Sequence, residues 1–133
     1  MTMYLSVSFE RNLNPFEVKV FMNITHLGEL PVIDSPCGAL KELFESDALS
    51  IAHVVVSSLS KKHFHKKSEE IYYITKGEGF VVFDDKELEV KEGDTITLPR
   101  QTPHALRPKK GSFELLAISS PKWVPEDEFE VEE

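Results

Sequence analysis

The stretch His63-Phe64-His65-Lys66-Lys67-Ser68-Glu69-Glu70 sets two imidazoles on either side of one phenylalanine, with a pair of carboxylates following. Side chains alternate in an extended segment, so His63 and His65 project to the same side. Two nitrogen donors on one face make half a metal site. Glu70 opens the apolar run Ile71-Tyr72-Tyr73-Ile74, so a carboxylate at the mouth of that strand can point into the same space. Tyr72 shares the parity of Glu70 and is a candidate pocket residue, although an aromatic barrel filler has the same parity. Downstream, Pro99-Arg100-Gln101-Thr102-Pro103-His104 reads as a turn made rigid by two prolines, which presents His104 at little further entropic cost. Lys61, Lys62, Lys66 and Lys67 also surround the histidine pair, as they would in an exposed basic loop.

Working outward, residues 49–59, 70–75, 79–83, 87–90, 94–98 and 113–119 carry the β-branched and aromatic content of strands. Turn signals such as Lys76-Gly77-Glu78-Gly79, Asp84-Asp85-Lys86 and Glu92-Gly93-Asp94 separate them, at the spacing of a sandwich or barrel. Residues 3–10 and 17–24 are expected strands around the turn-like Asn12-Leu13-Asn14-Pro15. Residues 38–44 are the best helical candidate but are hardly two turns long and read equally as a strand. An all-β chain is expected. Its organisation reads as N-terminal strands and loops over 1–48, packed on or exchanged between barrels, then a barrel core over 49–120 holding the metal site. An acidic extension follows over 121–133, with six carboxylates after residue 125, expected in solvent.

A chain of 133 residues fits one domain and one core. Hydrophobic residues at 41% and charged residues at 29% are the balance of a soluble globular protein. No apolar run approaches the roughly 20 residues of a membrane helix, and the start lacks the features of a signal peptide, so a cytoplasmic protein without membrane contact is expected. Cys37 is the single cysteine, which fits a reducing compartment; it reads as a small packing residue. A net charge of -8 argues against nucleic acid as a partner. His26 and His53 read as ordinary packing or surface residues.

The two histidine-bearing segments together resemble the cupin superfamily. Its first motif runs Gly, five residues, His-X-His, three or four residues, Glu, six residues, Gly; this chain has Ser57, His63 and His65, Glu70 and Gly77. The second runs Gly, five residues, Pro-X-Gly, two residues, His, three residues, Asn; here stand Gly93, Pro99, Gln101, His104 and Pro108. Ser57, Gln101 and Pro108 depart from the pattern, touching turn geometry and leaving every metal-ligand position filled. Glu69 satisfies the shorter spacing but would put Lys76 where the motif has Gly, so Glu70 is preferred. The resemblance implies a small single-domain cupin, a double-stranded β-helix or jelly-roll β-barrel, with His63, His65, Glu70 and His104 on the metal.

Three imidazoles and one carboxylate leave an octahedral ion two open positions, whereas zinc would be nearly saturated. One divalent transition metal is therefore expected, iron, manganese or nickel ahead of zinc. The expected function is a metal-dependent enzyme acting on a small polar organic molecule by dioxygenase-type or sugar/keto isomerase-type chemistry, with Glu70 and Tyr72 as candidate catalytic groups. The alternative is a non-catalytic cupin that binds or senses a small molecule. Arg100, Arg107 and Lys61 lie near the ligand positions in sequence, which suggests an anionic or polyhydroxylated ligand. Residues 51–56 and 113–118 are apolar in both alternation phases, so something covers the outer face, and a homodimer is expected.

Overall fold

Alternation along residues 69–76 organises the barrel: Glu70, Tyr72 and Ile74 are buried while Glu69, Ile71 and Tyr73 face outward, the two-residue period of a strand covered on one side. The fold is seen in a computed structural model that describes residues 6–11 and 20–132, with side chains from Met22 onward. The expected turn at residues 12–15, and residues 3–5 and 17–19 of the two expected N-terminal strands, lie outside the described residues.

The chain separates into two compact units, Met1–Pro31 and Val32–Glu133. In the first, β1 (Ser6–Arg11) and β2 (Val20–Thr25) pair antiparallel, Ser6 opposite Thr25 and Arg11 opposite Val20, and a 3-10 turn follows at Leu27–Glu29. The second holds β3 (Ile33–Ser35), β4 (Gly38–Glu45), β5 (Ser50–Val56), β6 (His63–His65), β7 (Glu69–Lys76) and β8 (Glu78–Phe83). It continues through β9 (Lys86–Lys91), β10 (Thr95–Leu98), β11 (Ala105–Pro108), β12 (Phe113–Ser120) and β13 (Glu128–Glu130). Strands β10-β7-β12-β5-β4-β3 form a six-stranded antiparallel sheet, β11-β8-β9 a three-stranded one, and β13 pairs with β6. Val54, Val56, Tyr72, Ile74, Phe113 and Leu115 from the large sheet meet Val81, Val90 and Leu106 from the small one in one core. This is the jelly-roll architecture of a double-stranded β-helix.

Close approach explains one glycine. A Cβ at Gly79 would lie 2.5 Å from the Phe113 ring, and Phe113 is itself buried in the core, so only hydrogen fits there. Residues 38–44 form a strand and not a helix: β4 is bonded along both edges, to β3 and β5, and a segment bonded on both sides takes the conformation of its neighbours. The large sheet therefore begins at Ile33, upstream of the expected barrel start at 49. The C-terminal expectation also needs correcting. The segment is not a solvated extension, because Pro125–Asp127 forms a 3-10 turn and β13 pairs with β6, Phe129 opposite Phe64 and Glu130 opposite His63. Phe129 anchors it by stacking on Phe64, ring centroids 5.4 Å apart, a contact that the surrounding acidic composition conceals.

Candidate metal centre

Three segments, β6, the start of β7 and the turn before β11, bring the four expected side chains together. His63 and the residue-104 turn exchange backbone hydrogen bonds, His63 N–H to the His104 carbonyl at 3.0 Å and the reverse at 2.9 Å. The Gln101 N–H donates to the His65 carbonyl at 2.6 Å, which ties the proline turn to β6. Glu70 enters from the inner face of β7. One donor atom from each of His63, His65, Glu70 and His104 lies within 4.8 Å of the others, and all four residues are buried. Glu69, the competing carboxylate, faces outward, with Arg100 Nη1 4.0 Å from its carboxylate.

The backbone sets the tautomer of every ring. Nδ1 of His63 donates to the Lys61 carbonyl at 2.9 Å, Nδ1 of His65 to that of Asp127 at 3.1 Å, and Nδ1 of His104 to that of Thr102 at 2.9 Å. A carbonyl only accepts, so each Nδ1 carries hydrogen and each neutral Nε2 offers a lone pair. His65 Nε2 lies 2.6 Å from Glu70 Oε1, yet the two do not meet in hydrogen-bond geometry and neither has another hydrogen-bond partner. Buried groups at this distance need positive charge between them, supplied either by a proton on His65, where burial is outweighed by Glu70 and the pKa is raised, or by a metal ion, and the donor set suits a transition metal. Burial pushes the Glu70 carboxyl up, but the adjacent His65, with His104 and His63, outweighs it and holds the group below the usual range. Burial lowers His104 to about 4, against the opposing charge of Glu70, so that ring is neutral at physiological pH.

These residues come from a segment that matches a known family. The cupin domain profile matches residues 51–119. The chain belongs to the cupin family. Among relatives of this cupin, the uncharacterized protein MJ1618 of Methanocaldococcus jannaschii is 42% identical over 82 residues, 60% of this chain and 65% of that one. An Aquifex aeolicus protein is 28% identical over 91 residues, 68% of this chain and 75% of its own length. Among solved structures, the nucleoside dehydratase Pac13 superposes with a TM-score of 0.71 at 20% identity, covering 80% of this chain and 88% of that one. The polyketide cyclase RemF from Streptomyces resistomycificus gives 0.71 at 21% identity, covering 84% and 87%. At these identities the structural likeness is one of fold.

The departures from the cupin motifs have local explanations. Gln101, standing for a glycine, adopts φ 60, the left-handed backbone that glycine takes without strain; its N–H bond to His65 holds it there. Ser57 is not among the described residues of positive φ, so nothing at that position demands glycine.

Sequence reasoning missed three neighbours of the cluster. Cys37 packs against the core as expected, but its Sγ also lies 3.4 Å from His63 Nε2 and 3.7 Å from the Tyr72 hydroxyl. Burial pushes its thiol up, as does the charge of Glu70. Asp127 holds His65 through its carbonyl while its carboxylate accepts the N–H groups of Lys66, Lys67 and Ser68 at 2.9 to 3.0 Å. Glu128, also from the C-terminal segment, lies 3.9 Å from His63 Nε2 and accepts the Trp123 indole N–H at 3.3 Å. The signal available for both acidic residues was Phe129, an apolar residue alternating with carboxylates. Tyr72 combines its two readings: it is fully buried in the core, and its hydroxyl lies 3.0 Å from His104 Nε2. Burial pushes that hydroxyl well above its ordinary range, helped by Cys37 and Glu70, so it keeps its proton.

A small cavity of about 60 Å³ reaches His63, Glu70 and Cys37 between β4, β5 and β12. The basic side chains expected to serve it do not line it. Arg107 is paired with Glu87 at 2.7 Å, Arg100 donates to the Lys67 carbonyl at 2.6 Å, and Lys61 lies 3.5 Å from Glu130. Surface carboxylates and carbonyls claim them because long cationic side chains keep their heads in water. His53, read as ordinary, has Nε2 3.1 Å from Glu114, and no helix among the described residues is long and apolar enough to cross a membrane.

Proposed function

We propose that His63, His65, Glu70 and His104 hold one divalent transition metal, and that the centre makes this cupin a metal-dependent enzyme acting on a small organic molecule. The observation that carries the reading is the set of three Nδ1–H bonds to backbone carbonyls, which leaves three Nε2 lone pairs beside the Glu70 carboxylate. Iron(II), manganese(II) or nickel(II) suits a set of four protein donors with positions to spare. When bound, such an ion would polarise a carbonyl or hydroxyl oxygen of the substrate. Glu70 supplies the anionic donor, and the carbonyl contacts fix ring orientation. Tyr72 holds a proton beside His104, and we assign it the transfer of that proton to a developing alkoxide or enolate, a step that requires substrate to reach a hydroxyl that is fully buried and outside the cavity lining. That protonated hydroxyl favours isomerase-type proton transfer over dioxygenase-type cleavage. Small-molecule chemistry is also what the fold relatives are named for: Pac13 as a nucleoside dehydratase, seen with uridine, and RemF as a polyketide cyclase.

Elemental analysis of protein purified without added metal tests the centre, and deuterium exchange into hydroxy-carbonyl compounds tests the proton transfer. One metal per chain with exchange at a carbon-bound position is expected. Oxygen uptake without exchange would replace the isomerase reading with the dioxygenase one; no metal in any preparation would refute both.

We also propose a homodimer in the cytoplasm. Its support is an apolar outer face on β7, where Ile71 and Tyr73 are 39% and 41% exposed and stand opposite Ile118 and Leu116 of β12. The single cysteine suits a reducing compartment. Sedimentation equilibrium should give twice 15.1 kDa; the monomer mass at every micromolar concentration would refute the dimer.

A further inference from the structure

The lone pair of His63 Nε2 has two claimants. Nδ1 of that ring donates to the Lys61 carbonyl, so Nε2 accepts, and the Cys37 thiol 3.4 Å away is its donor. A metal on His63 needs the same lone pair. Cys37, His63 and Glu70 line one small cavity, and Glu70 Oε1 is buried there with no hydrogen-bond partner, so the sulfur stands on the side of the ring from which an ion binds.

We infer that Cys37 is a fifth donor to the metal centre, its sulfur binding the ion beside His63. The inference rests on the proposed four-residue centre and adds a ligand to it. With metal–nitrogen bonds of about 2.1 Å and metal–sulfur bonds of about 2.3 Å, two donors on one ion lie roughly 3.1 Å apart at a right angle and roughly 3.6 Å apart at the tetrahedral angle. The observed 3.4 Å falls between. The Glu128 carboxylate, the other anionic group near His63, is 3.9 Å away, beyond either spacing, and accepts the Trp123 indole instead. Backbone contacts fix the sulfur in place. The Pro36 carbonyl accepts the Lys61 N–H at 3.1 Å, and Ser35 Oγ donates to the Gly38 carbonyl at 2.7 Å, so the turn that carries Cys37 is tied to the segment that leads into His63.

Charge argues the same way. A divalent ion against the single carboxylate of Glu70 leaves net positive charge in a buried site, and uncompensated buried charge is costly; a thiolate cancels it. A thiol that coordinates a metal is deprotonated outright, and its proton passes to water. Tyr72, whose acceptor on His104 would also be taken by the ion, has the sulfur 3.7 Å away to receive its O–H. Five protein donors leave a six-coordinate ion one open position, which admits one substrate oxygen and not substrate and dioxygen together.

Cobalt(II) loading of the full chain tests this. Cobalt on a thiolate gives an intense near-ultraviolet sulfur-to-metal charge-transfer band, and Cys37 is the only cysteine, so the band has one source. Wild type should take up one cobalt and show it. Cys37→Ala should lose the band and bind cobalt about 100-fold less tightly, the upper end of what loss of a merely supporting partner costs. Cys37→Ser, which keeps a hydrogen-bond donor at the position, should lose the band as well, separating ligation from hydrogen bonding. X-ray absorption of zinc-loaded wild type needs no variant and should find a sulfur neighbour at about 2.3 Å. Cobalt bound without the band, or zinc with only nitrogen and oxygen neighbours, overturns the inference and leaves the four-donor centre standing. A chain that takes up neither metal refutes that centre and the inference with it.

Discussion

Nδ1 of His65 donates to the main-chain carbonyl of Asp127 across 3.1 Å. The acceptor is backbone, and the Asp127 carboxylate fixes its place by accepting the N–H groups of Lys66, Lys67 and Ser68, so the ring is held in one tautomer. His63 and His104 are held likewise by Lys61 and Thr102. Zinc-loaded protein, which is diamagnetic, should therefore show all three imidazoles as Nδ1–H, Nε2-bound in long-range nitrogen-15 spectra. An Nε2–H signal from any one of them would contradict the arrangement.

Removing a donor should cost metal and stability together. A metal that binds only the folded chain adds about 2.7 kcal/mol at a hundredfold excess over its Kd, so chelation should lower Tm by roughly 8 °C for a chain of this size. His63→Ala and His104→Ala should bind no metal and show no response to chelator. Unchanged metal content in both would refute the ligand assignment.

Tyr72→Phe separates the centre from the chemistry. The change removes one hydroxyl from the core, leaves the ring that packs there, and should preserve metal content. Turnover should fall about 10²- to 10⁴-fold, the range for a lost general acid. Wild-type turnover in this variant would remove Tyr72 from the mechanism.

Asp127 predicts a pH signature. Burial pushes its carboxyl up, but the amides of Lys67, Ser68 and Lys66 outweigh this and hold it below the usual range. A folded-state value below the unfolded one means that the stabilisation is fully present above the ordinary carboxylate range, about 3.9. It is lost as pH falls through the depressed folded value. Asp127→Asn should cost about 2 kcal/mol at neutral pH, from charge-assisted hydrogen bonds weakened in a buried loop. In denaturant melts its stability should fall less steeply than wild type below about pH 4. Parallel acid limbs in the two proteins would be the wrong outcome for this account.

Gly79→Ala should destabilise the barrel by about 1–3 kcal/mol through overpacking, because the added methyl meets the Phe113 ring on its edge. Phe113→Leu in the same chain should recover part of that loss. The coupling measured in a double-mutant cycle would be absent if the cost arose from the backbone alone.

The four clustered donors and the all-β succession of strands were legible because alternation and turn signals are local, with the cupin resemblance supplying the ligand register. His63 and His65 share a face by alternation, Glu70 and Tyr72 by the same rule one strand later, and the glycine-bearing turns at 77 and 93 fix where strands end. Cys37, Asp127 and Glu128 were not legible. Asp127 and Glu128 reach the centre through the pairing of β13 with β6, which closes a long loop, and Cys37 sits beside Pro36, whose carbonyl accepts the distant Lys61 N–H. Local composition carries no record of such a pairing: an acidic segment reads as solvated unless the amides that will receive its carboxylate are known. The basic residues near the ligands misled for a related reason. Arg107 is three positions from His104 in sequence, yet its side chain reaches across β8 to pair with Glu87 on β9.

The bond from His65 to Asp127 joins residues 62 apart in the chain, and β6 has β13 as its named partner in the same register. On a ribosome, residue 65 is exposed to the cell long before residue 127 has been made. Through that interval the first two histidines lack the strand that orients them, and any thiol or metal encountered then meets a half-built coordination sphere. All four clustered side chains are made by residue 104, but the carbonyl that orients His65 arrives only with the turn before β13.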